Sequence, residues 1–142
     1  MYKNFRKSQY NIPRRRRQYV PSREIRDALF LAFNKSFLSP VKTGKHCAVL
    51  LNKNNEIIKT FVNCHKECPG TGTIHAEVGV IKKTIEENPD IDLRECTVLV
   101  VRGNLLGSFS NSAPCDNCLT FMKKCSIGMI LYTSRHDGLC VI

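Results

Sequence analysis

The sequence predicts a single α/β domain in three layers, a mixed sheet of about four or five strands with helices on both faces. Three observations lead there. Apolar runs of strand length alternate with amphipathic stretches of helix length, which implies parallel pairing through right-handed crossovers. The run Thr97-Val98-Leu99-Val100-Val101 is rich in β-branched residues and apolar throughout, as a central strand buried on both faces must be. Ahead of it, two shorter runs are separated by Asn52-Lys53-Asn54-Asn55, which has the composition of a hairpin turn.

In chain order, Ser22 is an N-cap for a helix whose apolar stripe is Ile25, Leu29 and Phe33, and which ends near Ser39-Pro40. Residues 47–51 and 56–62 form the hairpin strands, the first buried on both faces. Residues 63–72 read as a loop. Thr71 or Thr73 can cap the next helix, which turns Val78, Ile81 and Ile85 to one side and stops at Asn88-Pro89. After the central strand, residues 103–113 make a loop or small hairpin. Pro114 suits the first turn of a helix running to Lys124, with Leu119 and Met122 inward. Residues 127–132 give the last strand, a turn follows at 134–138, and little chain remains.

Composition narrows the class. The 142 residues are 42% hydrophobic and 24% charged, ordinary values for one globular domain. No apolar run approaches the roughly 20 residues of a membrane helix. Eight cysteines without a secretory signal point to reduced, intracellular protein, cytoplasmic or nuclear, rather than a disulfide framework. The net charge of +10 is uneven: seven cations and no acid fall in residues 1–20, leaving +3 for the other 122. Residues 1–21 are therefore read as a basic, flexible arm and residues 22–142 as the domain. Aromatic residues between the cations would let Arg14, Arg15, Arg16 and Arg17 hold RNA or DNA phosphates while rings stack bases. A solvated tail or an import signal is the alternative, and a mitochondrial address is a further one.

Two stretches carry the chemistry: His75-Ala76-Glu77 and Pro114-Cys115-Asp116-Asn117-Cys118. Cys115 and Cys118, three apart, share one face of a helical turn. With His75 they make three protein ligands, and three with a fourth position open is the pattern of a catalytic zinc. If both stretches open helices, the helix dipoles favour the thiolate forms. A competing set is Cys64, Cys68, Cys115 and Cys118, a four-thiolate structural zinc that would make the chain a non-catalytic nucleic-acid-binding module. It leaves His75 and Glu77 unexplained. Cys64, His65 and Cys68 can also be read as a second zinc site. His46 and His136 read as surface or strand-end residues.

The pair of motifs resembles the zinc-dependent nucleobase deaminases: the cytidine and deoxycytidylate, tRNA adenosine and polynucleotide cytidine enzymes. The resemblance runs from His46 to Asp137, about two-thirds of the chain. It implies the cytidine-deaminase fold, one catalytic zinc on His75, Cys115 and Cys118, and Glu77 as proton carrier. It implies substrate contacts at Asn63, Ala76, Ser112 and Pro114, with the alternative that Asn63 caps its own turn. It also implies a homo-oligomer.

Histidine as the nitrogen ligand resembles the deoxycytidylate, tRNA-adenosine and polynucleotide-cytidine branches more than the free-nucleoside enzymes. Ala113 stands where tRNA adenosine deaminases usually carry glutamate, which favours cytosine, in a nucleotide or single-stranded nucleic acid. Adenosine-to-inosine conversion in RNA is the runner-up. The 36 residues between Glu77 and Pro114 exceed the family's usual spacing, with the excess expected as a hairpin at 102–112 beside the pocket. The C-terminal strand and helices of many relatives are expected to be largely missing.

Overall fold

A computed structural model describes residues 17–67, 70 and 72–142. Its elements are β1 (Arg17–Gln18), α1 (Arg23–Ser36), β2 (His46–Leu51), β3 (Ile57–Val62), β4 (Cys64–His65), β5 (Thr73–Ile74) and α2 (Ala76–Glu87). A 3₁₀ turn at Leu93–Glu95 leads to β6 (Thr97–Gly103), β7 (Phe109–Ser110), α3 (Asp116–Lys124), β8 (Met129–Ser134) and β9 (Gly138–Val141). The sheet order is β1-β9-β8-β6-β2-β3, with β7 added alongside β6, and β4 and β5 pair separately. Among the described residues, only β6 and β8 are parallel neighbours.

This topology fixes where a site can form. Because β2 is antiparallel to both β3 and β6, those two strands point the same way, and β8 joins them. The chain leaving β3 reaches α2, and the chain leaving β6 reaches α3. Both helices therefore begin at the same edge of the sheet, outside the carboxyl ends of three strands, where open α/β sheets bind ligands.

The pleat sorts the core into two faces. Cys47, Val49, Leu51, Leu99, Val101 and Leu131 face α1. Ala48, Leu50, Val98, Val100 and Tyr132 face α2 and α3, packing with Val80, Ile81 and Met122. Helices on both faces of a mixed sheet are what the sequence predicts. Ser22 caps α1, its hydroxyl accepting from Ile25 N–H at 3.3 Å.

Several expectations need correction. The sheet has seven strands where four or five were expected, two of them only two residues long. A C-terminal strand is present: β9 folds back on β8, turning through Gly138 at φ 71°. Arg17 and Gln18, assigned to the arm, pair with Val141 and Cys140. The last strand starts at Met129, two residues late, because Ile127 and Gly128 bond to the end of α3 and to the 3₁₀ turn instead. The loop at 63–72 contains β4, pairing with β5 at 73–74. In α2 the core residues are Val80 and Ile81, while Ile85 is exposed.

Helix α2 lies close on the sheet because residue 79 has no side chain. A Cβ there would stand 2.1 Å from the Phe61 ring on β3. Gly79→Val is therefore expected to destabilise the domain by about 1–3 kcal/mol through overpacking, read as a lower urea midpoint. Because α2 carries His75, the same variant should weaken zinc binding.

Candidate functional site

Each functional side chain is placed by a helix start. His75 is the N-cap of α2 in extended conformation, with no side-chain capping bond. The expected threonine cap is absent: Thr73 lies in β5, and Thr71 is outside the described residues. The imidazole is thus left to turn toward α3. Cys115 is the N-cap of α3, and its sulfur accepts from the Cys118 N–H at 3.5 Å. Pro114 consequently precedes the cap rather than occupying the first turn.

The two helix starts bring His75 Nδ1 within 3.1 Å of Cys118 Sγ and 3.7 Å of Cys115 Sγ. All three donor atoms lie within 4.8 Å of one another. Tetrahedral zinc with nitrogen at about 2.0–2.1 Å and sulfur at about 2.3 Å needs donor separations of roughly 3.5–3.8 Å, so the set fits one ion. Glu77, two residues beyond His75, is only 5% exposed.

The surroundings of Cys118 work against its thiolate form when no cation is present. Burial pushes the Cys118 thiol well above its ordinary range, and the neighbouring Glu77 and Cys115 push it the same way. Without a cation the thiol keeps its proton. Burial likewise raises Cys47, in the core of β2, to about 11. None of the seven described cysteines forms a disulfide. Among the described residues, His75, Cys115 and Cys118 are the only group able to hold a metal. Cys68, needed for both the second-zinc and the four-thiolate readings, lies outside them.

Beside this group is a cavity of about 310 Å³, near the lower limit of small-molecule sites. Asn63, Ala76, Glu77 and Ser112 line it; Pro114 does not. The Asn63 side chain accepts from His46 N–H and donates to the Gly44 carbonyl, both at 2.8 Å, so it braces the 44–46 segment rather than its own turn. One N–H and one lone pair of the amide remain. The Ser112 hydroxyl is engaged by the scaffold: it donates to the Val100 carbonyl and accepts from Thr133 N–H, each at 2.7 Å. It bridges β6 and β8 beyond the last paired residues, Val100 and Tyr132. The expected hairpin is present as β6–β7, with Leu105 and Leu106 exposed at its tip.

Sequence reasoning missed His46. It opens β2, is half-buried, and lines the cavity. The signal was available: a histidine directly before a buried strand, at the end of the sheet where the helices start. A second cavity, about 510 Å³, opens between α2 and α3 on the other side of His75, with Lys66, Lys82 and Phe121 in its wall. Arg14, Arg15 and Arg16 lie outside the described residues, and Arg17 is exposed on β1.

Comparison with known proteins agrees with this geometry. In a search of solved structures, the chain is similar to the apo dCMP deaminase of cyanophage S-TIM5, at 20% identity and TM-score 0.60, covering 83% of this chain and 89% of that one. It is similar to the cytidine deaminase of Burkholderia pseudomallei at 18% identity and TM-score 0.59, covering 82% and 90%. The Mycobacterium leprae cytidine deaminase gives 16% identity and TM-score 0.52, covering 81% and 91%. Identities this low establish a shared fold. A search of curated protein sequences finds no match. The family model for the cytidine and deoxycytidylate deaminase zinc-binding region matches residues 24–134, a span that contains both motifs. With that span covering most of the domain, the chain belongs to the zinc-binding cytidine and deoxycytidylate deaminase family.

Proposed function

We propose that this protein deaminates cytosine to uracil, in a nucleotide or a nucleic acid, with His75, Cys115 and Cys118 holding one zinc and Glu77 moving protons. The observation that carries this is the nearly buried Glu77 beside the three-donor group, opening on one cavity. When bound, zinc lowers the pKa of coordinated water from 15.7 to about 7 and so supplies hydroxide at neutral pH. The protein's residues do the rest. Glu77 takes the proton of the attacking water and passes it to the ring nitrogen. It then takes the second proton, from the hydroxyl now on the ring carbon, and gives it to the departing amine as the C–N bond breaks, so that water and cytosine become uracil and ammonia.

The first N–H groups of α2, at Ala76 and Glu77, have no partner within the helix and can receive the base carbonyl oxygen. The remaining amide capacity of Asn63 suits a sugar hydroxyl. Among the described residues, no lysine or arginine lines the 310 Å³ cavity. That suits a neutral base and sugar inside, with phosphate left at the mouth. Glu77→Ala should keep the fold and zinc yet lose at least about 10²–10⁴-fold in turnover. Mass spectrometry on cytidine, deoxycytidine, dCMP, single-stranded DNA, single-stranded RNA and tRNA reads it. Activity surviving Glu77→Ala would sink the mechanism. Inosine in tRNA would promote the adenosine reading, and zinc binding without any conversion would favour the binding module.

The polymer question has its own test. Removing residues 1–16 spares the β1 pairing and deletes six of the arm's cations. If the arm holds phosphates, the truncated protein should lose activity on polymers in a salt-dependent way and keep it on dCMP.

The Cys118 environment sets the pH dependence. Its folded-state pKa is raised, so its contribution to metal-free stability is fully present below the unfolded thiol range near 8.5 and is lost as pH rises above that range toward the raised folded value. Zinc needs the thiolate, so loading should displace protons and strengthen between about pH 6 and 8. Calorimetry in buffers of different ionisation enthalpy would count those protons. Chelation should lower the melting temperature.

A further inference from the structure

His46 is held by three bonds that fix both its place and its proton. Its backbone N–H donates to Asn63 Oδ1 at 2.8 Å, and its carbonyl accepts from Asn63 N–H at 3.1 Å. Its ring Nδ1 lies 2.5 Å from the Gly44 carbonyl oxygen. A carbonyl oxygen only accepts, so Nδ1 carries the hydrogen. Burial keeps the ring's pKa below the ordinary histidine value, with Arg102 and His75 acting in the same direction and the Gly44 bond and Glu77 opposing. The ring is therefore neutral at neutral pH, and its other nitrogen, Nε2, is a lone-pair acceptor.

That acceptor is open. No described residue donates to Nε2, and no sealed side-chain nitrogen or oxygen in the described protein lacks a partner. Nε2 must then be reachable from outside the protein, and the ring lines the 310 Å³ cavity. In the neutral ring, with the proton held on Nδ1 by Gly44, Nε2 only accepts, and an acceptor distinguishes ligand groups by kind. It attracts O–H or N–H and is unfavourable opposite a carbonyl or phosphate oxygen.

We propose that His46 is a specificity-determining residue whose Nε2 accepts a hydrogen bond from a neutral donor on the substrate, a sugar hydroxyl or a base N–H. This rests on the deaminase reading above. It makes the cavity wall selective for a hydroxyl-bearing or amine-bearing ligand in place of an anionic one.

The two ring nitrogens can be separated by substitution. Asn at position 46 can keep the donor to Gly44 but lacks an atom at Nε2. Gln presents an oxygen near Nε2 but loses the Gly44 bond. If Nε2 meets substrate, His46→Asn should raise KM roughly threefold to tenfold with little change in kcat, and His46→Gln should recover part of it. An analogue without the matching donor should show no difference between wild type and His46→Asn. Comparing cytidine with its 2′-deoxy and 3′-deoxy forms identifies the hydroxyl, and a difference persisting on both assigns the base amine. His46→Gln as damaging as His46→Phe, which removes both ring nitrogens, with His46→Asn unchanged, would reduce His46 to a brace for Gly44 and overturn the proposal.

A direct readout needs no variant: long-range ¹H–¹⁵N spectra of the zinc-loaded, full-length protein with labelled histidine, titrated with cytidine. Nδ1 should carry the proton, and the Nε2 resonance should move on saturation. Binding with Nε2 unmoved overturns this inference alone. A properly zinc-loaded protein that binds no cytosine nucleoside overturns the functional reading and this inference with it.

Discussion

Two helix starts must stand side by side, and most of the molecule serves that constraint. A tetrahedral ion tolerates only a few tenths of an ångström in its donors, yet His75 and Cys115 are 40 residues apart. Nothing local can hold such a distance. It is held by β3, β6 and β8 ending at one edge of the sheet, and by the packing of α2 and α3 on one face through Val80, Ile81 and Met122. Phe61 filling the notch at Gly79 sets how closely α2 approaches the sheet. Ser112, bridging Val100 and Thr133, fixes where the chain leaves the sheet on its way to α3. Residues that never touch substrate thus decide whether three donors can meet.

The site is also a cluster of groups that do not suit one another without a cation. A nearly buried carboxylate at Glu77 lies near a buried thiol at Cys118 and makes negative charge on that thiol more costly. A divalent ion reverses that balance, since two thiolates and a carboxylate then surround positive charge. The fold supplies proximity, and the ion supplies the reason for the anions to coexist.

Much of this was legible from residue order. The two motifs, the buried central strand, the hairpin at Asn52–Asn55 and the helix stops at Pro40 and Pro89 each follow from local chemistry. What was not legible depends on tertiary partners. Strand β9 buries only Leu139 and Cys140, too few positions for a period to show. The cap of α2 fell to His75 although threonine is the better capping residue, because Thr73 is taken up by pairing with His65. The raised Cys118 thiol was not legible, because it depends on burial and on Glu77 from another helix. His46 looked like an ordinary strand end until the fold placed its ring in the cavity wall.

The pairing of Arg17 and Gln18 with β9 gives the start of the chain a second duty. An uncovered strand edge offers unpaired N–H and C=O groups on which another molecule can add a strand. β1 occupies that edge with two residues, and Tyr19 N–H extends the cover with a bond to the Leu139 carbonyl at 2.8 Å. The cationic stretch and the edge cover are thus adjacent along the backbone but distinct in kind. Shortening the protein for solubility or crystallisation up to residue 16 alters its charge, whereas cutting through residue 19 bares a β-edge and invites self-association.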